Sequence, residues 1–175
     1  MRRIGVSVVW VSVLLLALPA SAQDYPKAEI FGGFSFASVD DPIDIEREAF
    51  LGFQTSFAGN FNKSFGIVGD FGGHYRSPDV GSRAYEFMVG PRFTSRGDTA
   101  TGFVHAMFGG VAFRGNRFSD TGFAMAFGGG VDVKVSKRFA FRVIQFDYVP
   151  THLFDTWEHN IRFGIGVVFK LGGGS

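Results

Sequence analysis

The chain of 175 residues is 46% hydrophobic and 19% charged, which is too apolar for a disordered protein and fits a single domain. It contains no cysteine, which excludes disulfide scaffolds and cysteine-based zinc or redox sites, whereas 25 glycines and 23 phenylalanines far exceed ordinary usage. The formal net charge of +1 gives no reason to expect nucleic acid as a partner.

Residues 1–22 have the three parts of a bacterial Sec signal peptide. Arg2 and Arg3 precede an apolar stretch, and residues 20–22 read Ala-Ser-Ala, the small residues of a cleavage site. The apolar stretch is shorter than the about 20 residues that a membrane-anchoring helix needs. We therefore expect a mature chain that begins at Gln23, with 17 − 2 = 15 basic against 16 acidic residues and a net charge of −1.

Alternating apolar and polar residues predict eight strands in the mature chain. The alternation is clearest in residues 28–36, 51–58, 65–75, 85–94 and 160–171, and three further strands are predicted at 103–113, 123–135 and 139–149. In the last of these three, Arg142 is out of phase with Gln145 and Asp147. Either Arg142 lies at a membrane boundary or a β-bulge near Val143 and Ile144 resets the phase, and we favour the bulge. No mature stretch reaches 18 consecutive apolar residues, which excludes a helical membrane protein.

The predicted connections alternate in length. The longer ones are residues 39–48, 76–83, 114–121 and 150–158, and the shorter ones are residues 60–64, 96–100 and 136–138. This alternation is typical of an up-and-down outer-membrane barrel, whose termini and short turns face the periplasm. We therefore expect an all-β fold, an eight-stranded antiparallel transmembrane barrel with all four longer loops outside the cell.

Side-chain size predicts which face of the strands points outward. Alternation by itself also fits a soluble lipocalin-like barrel, but an eight-stranded lumen is just wide enough to be filled by side chains and has no room for this many aromatic rings. We predict contact with lipid for ten residues of the apolar face: Phe34, Phe53, Phe57, Ile67, Phe71, Phe87, Phe127, Phe163, Ile165 and Val167.

The opposite face combines small residues with acids and bases in near equality. Because isolated charges are costly in a narrow lumen, we expect these groups to pair and to fill it. The predicted polar network of the lumen comprises Glu29, Gln54, Asp70, His74, Glu86, Arg92, His105, Asp132, Lys134 and Arg162.

Candidate reactive groups form no recognisable signature. His152 and His159 flank a segment that contains Asp155, and a serine–histidine–acid set could be drawn from these histidines with Ser119 and Asp120. Neither spacing matches a known metal or catalytic motif, so we predict no catalytic, cofactor or metal site. The acidic run in residues 40–48 is typical of a solvated loop, with bridging to lipopolysaccharide through divalent cations as the alternative.

The stretches at residues 27–36 and 122–134 resemble the first and sixth strands of the bacterial outer-membrane β-barrel domain proteins, the small OmpA-like barrels, and the resemblance covers residues 27–171. It implies a signal peptide at 1–22, a barrel at 23–171 and a flexible tail at 172–175. It also implies an integral outer-membrane protein with a structural or surface-interaction role and no enzymatic activity. The implied partners are outer-membrane lipid, lipopolysaccharide and, during biogenesis, the barrel-assembly machinery. A soluble barrel that binds an apolar ligand, an outer-membrane lipid-modifying enzyme and a narrow pore remain alternatives.

Overall fold

The computed structural model describes residues 25–39, 48–75, 83–115, 119–153 and 155–173. These residues form eight strands: β1 (Ala28–Val39), β2 (Glu48–Asn60), β3 (Phe65–Tyr75), β4 (Arg83–Arg96), β5 (Ala100–Arg114), β6 (Ser119–Lys134), β7 (Phe139–Leu153) and β8 (Thr156–Leu171). Within the described ranges, no helix has the length and apolar character needed to cross a membrane. The predicted signal peptide lies outside the described residues, as do residues 174–175 of the predicted tail.

The eight strands form a closed antiparallel barrel in which each strand pairs with its neighbours in sequence. The barrel closes where β1 pairs with β8, from Ala28 opposite Leu171 to Ser38 opposite Ile161. Closure leaves no free sheet edge, which is the condition for a β-structure in hydrocarbon. The predicted fold class is confirmed.

Glycines permit close approach of the strands at this seam. Gly33 and Gly166 lie opposite each other, and the Phe31 ring lies over both inside the barrel. A Cβ atom added to Gly33 would lie 2.8 Å from the Phe31 ring and 2.9 Å from the Gly166 Cα, closer than real Cβ contacts allow. The small residues of the inner face thus make room for a large ring.

Three tight turns form one end of the barrel, which we call the turn end. They connect β2 to β3, β4 to β5 and β6 to β7 through residues 61–64, 97–99 and 135–138. In the first turn, the Asn62 side-chain oxygen accepts hydrogen bonds from the backbone N–H groups of Ser64 and Phe65, both at 2.8 Å. The described chain begins and ends at this same end, since the Lys27 N–H donates to the Gly172 carbonyl at 3.0 Å.

The opposite end, which we call the loop end, departs from the prediction at its last connection. Residues 150–158 were expected to form a long loop, but the β7–β8 ladder runs through this segment as far as the pair Leu153 and Thr156. Asp155, with a φ of 59°, takes the left-handed conformation that a tight turn requires and that aspartate tolerates. The prediction of a fourth long loop was therefore wrong.

The predicted β-bulge is present in β7. The register with β8 shifts between Arg142 and Gln145, and the two intervening residues, Val143 and Ile144, are both exposed. Arg142, Gln145 and Asp147 consequently all point inward. The bulge is confirmed, and it resolves the phase of this strand.

Candidate functional site

The outer surface of the barrel is apolar and rich in aromatic rings. Phe34, in the middle of β1, is 78% exposed, and rings of adjacent strands contact one another, as Phe53 and Phe71 do with centroids 5.8 Å apart. The structure places all ten residues of the predicted lipid-facing set on the exposed surface: Phe34, Phe53, Phe57, Ile67, Phe71, Phe87, Phe127, Phe163, Ile165 and Val167. A water-exposed surface would not carry an apolar area of this extent, so this exterior matches hydrocarbon.

The middle of the lumen is crossed by a group of charges centred on Arg162 of β8, which we call the Arg162 cluster. Its Nη1 atom lies 3.0 Å from both Asp70 of β3 and Glu86 of β4, and its Nη2 lies 2.8 Å from Asp147 of β7. All four side chains are buried, and Arg162 itself is 1% exposed. A single guanidinium therefore connects four strands across the barrel.

Polar neighbours extend the Arg162 cluster. Gln54 donates to Asp70 at 2.7 Å, and His105 lies within hydrogen-bond distance of Asp147, at 2.8 Å. His74 lies 3.9 Å from Glu86 on one side and 2.9 Å from the Ser35 hydroxyl on the other. Because three carboxylates surround one guanidinium, these additional donors matter for stabilising the buried negative charge.

A second group of charges lies toward the turn end, and we call it the Glu29 cluster. Glu29 is shared by two guanidiniums, with Arg96 Nη1 at 2.7 Å and Arg92 Nη1 at 3.1 Å. Asp132 receives two hydrogen bonds from Arg142, at 2.7 and 3.2 Å, and lies 3.7 Å from Arg92. Three guanidiniums here face two carboxylates, so this cluster has the opposite charge imbalance from the Arg162 cluster.

Two inward-pointing aromatic rings complete the packing of the Glu29 cluster. The Phe103 ring lies between two guanidiniums, 4.2 Å from that of Arg92 and 4.3 Å from that of Arg142. Phe31 covers Arg142 from another side, at 4.1 Å. These cation–π contacts stabilise guanidiniums that are removed from water. The strand pattern places Phe31 on the face of Glu29 and Gly33, whereas Phe103 was not assigned to the lumen from sequence.

Gln145 joins the two clusters into one network. Its side-chain oxygen accepts from Arg142 Nη1 at 2.6 Å, and its side-chain nitrogen donates to Asp147 Oδ2 at 2.7 Å. Toward the loop end, the lumen is filled by apolar side chains, among them Met107, Val111 and Leu153. Polar and apolar side chains therefore fill the interior together, since Met88 of the apolar group lies opposite Asp70 in the β3–β4 ladder.

Nine of the ten residues of the predicted lumen network are buried in the structure: Glu29, Gln54, Asp70, His74, Glu86, Arg92, His105, Asp132 and Arg162. The tenth, Lys134, is the last residue of β6 and is exposed at the mouth of the barrel. Arg96, assigned by sequence to a turn, is instead part of the network through Glu29. Because Arg96 lies at the end of a strand, next to a predicted turn, the sequence did not indicate that it contacts Glu29.

The histidines near the loop end pack in pairs with aromatic side chains. The His152 ring contacts Trp157 with centroids 5.1 Å apart, and His159 stacks on Tyr148 and is hydrogen bonded to its hydroxyl. Among the described residues, no group of three or more histidine or acidic side chains could hold a metal ion.

Known structures share this architecture at low sequence identity. The crystal structure of Neisserial surface protein A has a TM-score of 0.67 at 10% identity, covering 83% of this chain and 97% of that one. The outer-membrane protein OprG of Pseudomonas aeruginosa has a TM-score of 0.58 at 11% identity, covering 86% and 98%. Ail, the attachment invasion locus protein of Yersinia pestis, has a TM-score of 0.53 at 18% identity, covering 83% and 99%.

This chain has the fold of the small eight-stranded outer-membrane barrels. No protein-family model and no curated protein sequence matches it. The expected resemblance to the small OmpA-like barrels is confirmed at the level of the fold, and the apolar exterior agrees with an integral position in the outer membrane. The structure does not favour the soluble, lipocalin-like alternative, because this barrel carries its aromatic rings on the outside and its charged side chains on the inside.

Proposed function

We propose that this protein is an integral outer-membrane barrel without enzymatic activity, which acts as a structural or surface-interacting element through its extracellular end. The observation that carries the proposal is the Arg162 cluster, which links β3, β4, β7 and β8 across the centre of the lumen. Buried side chains that contact one another across the lumen obstruct it and leave little freedom for movement of solute through it.

Conductance measurements on the folded protein test the closed lumen. We expect no regular current steps from the protein in planar bilayers, because Arg162, Gln145 and Arg142 hold the two clusters together across the interior. Stepwise conductance of constant amplitude from a fully folded preparation would support the narrow-pore alternative instead.

Cell fractionation and gel migration test the membrane position. Folded small barrels resist detergent, so unheated and heated samples should migrate differently, and the protein should stay in urea-washed outer membranes. Release into the soluble fraction by osmotic shock would contradict the proposal.

The absence of cysteine from the chain permits a direct test of orientation. A Ser77→Cys variant, in the connection between β3 and β4, should react with a membrane-impermeant maleimide on intact cells. The matched variant Lys137→Cys, in the turn between β6 and β7, should react only after permeabilisation. The reverse pattern would place the loop end in the periplasm.

We also propose that the surrounding lipopolysaccharide is a partner of this protein, bridged by divalent cations to the acidic run at residues 40–48. Residues 40–47 lie outside the described residues, so the support is their sequence alone. Replacing Asp40, Asp41 and Asp44 by Asn should reduce Mg²⁺-dependent association with lipopolysaccharide vesicles. Unchanged association would leave the acidic run as a solvated loop.

A further inference from the structure

The turn end of the barrel contains a cavity of about 900 Å³, which we call the vestibule. It is lined by the three tight turns, by the end of β8 and by the described N-terminus. Six of its lining residues are basic and one, Asp98, is acidic; the basic residues are Lys63, Arg96, Lys134, Lys137, Arg138 and Lys170. In the proposed orientation this excess of positive charge faces the periplasm.

The vestibule floor contains a buried guanidinium that is only partly satisfied. Arg96 donates from Nη1 to Glu29 at 2.7 Å and from Nε to the Lys63 carbonyl at 3.1 Å. Its Nη2 atom is buried and has no hydrogen-bond partner, and the whole Arg96 side chain is 8% exposed. A buried, unsatisfied donor on a charged group is costly unless a ligand completes it.

A second unsatisfied group lies beside the first. Thr101 is opposite Arg96 in the β4–β5 ladder, lines the same vestibule and is 1% exposed. Its Oγ1 atom also has no hydrogen-bond partner. A guanidinium N–H and a hydroxyl on paired strands thus offer two donors to one acceptor group.

The charge of the surroundings selects an anion with more than one negative charge. Glu29 is already shared between Arg92 and Arg96, and the six basic residues of the vestibule outnumber the acidic groups near them. A phosphate group has several acceptor oxygens, which suits a guanidinium and a hydroxyl together, and the flexible lysines of the rim act as point charges. The cavity also exceeds what inorganic phosphate fills and is of the size that holds a substituted ligand.

We propose that the vestibule is a binding site for a phosphate ester, in which the phosphate group accepts hydrogen bonds from Arg96 Nη2 and Thr101 Oγ1 and is surrounded by the lysines of the turns. The ester is either a soluble periplasmic compound or the headgroup of a lipid in the periplasmic leaflet. The proposed barrel function rests on the Arg162 cluster, none of whose residues lines the vestibule, so failure of this site would leave that function intact.

The test uses the mature protein refolded in a non-ionic maltoside detergent, which contains no phosphate. Inorganic phosphate and glycerol 3-phosphate are titrated by calorimetry, and the amide resonances of Gly97, Thr101 and Lys134 are followed by NMR at constant ionic strength. We expect saturable binding with shifts confined to the vestibule. Shifts of the same size with chloride would overturn the proposal.

Two variants and a matched control separate a site from general attraction. Thr101→Val keeps the shape of a side chain whose hydroxyl has no partner in the free protein, so it should fold normally and weaken glycerol 3-phosphate binding about tenfold. Lys134→Gln with Lys137→Gln should weaken binding by a similar factor. Arg83→Gln with Arg114→Gln removes the same charge at the loop end, where these residues pair, and should leave the affinity unchanged. Equal losses in the two charge variants, or no loss in Thr101→Val, would refute the site.

A lipid titration identifies the source of the phosphate. Short-chain phosphatidylglycerol is added to the same micelles, with diacylglycerol of equal chain length as the phosphate-free control. Vestibule shifts with the phospholipid that glycerol 3-phosphate reverses would identify a lipid headgroup, whereas shifts with the soluble esters alone would identify a soluble compound. Absence of vestibule shifts with all these compounds would overturn the proposal.

Discussion

Arg162 donates from both Nε and Nη2 to a single oxygen of Asp147, Oδ2, at 3.1 and 2.8 Å. The two residues lie opposite each other in the β7–β8 ladder, so this half of the guanidinium is held by a neighbouring strand. The remaining nitrogen, Nη1, is free to reach Asp70 and Glu86 on the far wall. Asp147 therefore holds the guanidinium of Arg162 against one wall, while Nη1 of the same guanidinium contacts the carboxylates of the opposite wall.

Removal of this guanidinium should strongly destabilise the barrel. Arg162→Met keeps a long side chain but leaves three carboxylates buried without their shared cation, which costs about 3–5 kcal/mol of unfolding free energy when a buried pair is broken. Urea-induced unfolding in detergent or lipid measures the loss. Arg114→Met, at an exposed position at the end of β5, is the control and should change stability by less than about 0.5 kcal/mol. Equal stability of the two variants would show that the Arg162 cluster contributes nothing.

A charge on the outer face should be costly in proportion to its depth in the membrane. Phe71 lies well within β3, where its ring contacts those of Phe53 and Tyr85 at 5.8 and 6.3 Å. Phe71→Arg should lower the free energy of unfolding by about 2–4 kcal/mol, the cost of arginine near the bilayer midplane. Phe61→Arg, in a tight turn, should cost about 0–1 kcal/mol because it lies at the interface. The same loss for both variants in lipid vesicles would argue against a bilayer around the exterior.

The strand pattern made the barrel predictable, because alternation over eight segments is a local property that burial of one face imposes. The last connection was mispredicted at Pro150, since proline is depleted from strand interiors. In the structure, β7 continues through Pro150 and pairs with β8 there, whereas its pairing with β6 is interrupted between Tyr148 and Thr151. Pro150, which has no backbone N–H, therefore lies where the β6–β7 ladder has a gap.

The sequence was sufficient to predict which side chains point into the lumen, but not which of them contact one another. Phase alone indicates that Asp70 and Arg162 point inward, whereas their 3.0 Å contact depends on the register of all eight strands and on closure. Lys134 shows the limit of phase, because it has the inward phase of Asp132 but lies beyond the enclosed part of the barrel. Which face a residue occupies is local information, whereas its depth along the barrel axis is global.

Of the two adjacent glycines at the β1–β8 seam, only one should be sensitive to an added methyl group. Gly33→Ala would place its Cβ against the Ile165 carbonyl and the Phe31 ring, so the strands must separate, at a cost of about 1–3 kcal/mol in unfolding free energy. Gly32→Ala points outward, where nothing lies within 4 Å of the added Cβ, and should be neutral. Folding yield and urea midpoints of the two variants give the comparison. A neutral Gly33→Ala would mean that the seam is looser than the structure indicates.

The inward phase of the charges on both sides of the β7 bulge should be essential for folding. Val143 and Ile144 together occupy the outward step between Arg142 and Gln145, which both point inward. Deleting both Val143 and Ile144 joins Arg142 directly to Gln145, so either Arg142 or the segment with Gln145 and Asp147 must turn toward lipid, at a cost of about 2–4 kcal/mol for an arginine in the bilayer. We expect the double-deletion variant to lose the heat-modifiable folded band on gels. Deleting Ile144 alone restores regular alternation with Arg142 and Gln145 both inward, so this control should keep the folded band. A double-deletion variant as stable as this control would show that the inward phase of these charges does not stabilise β7.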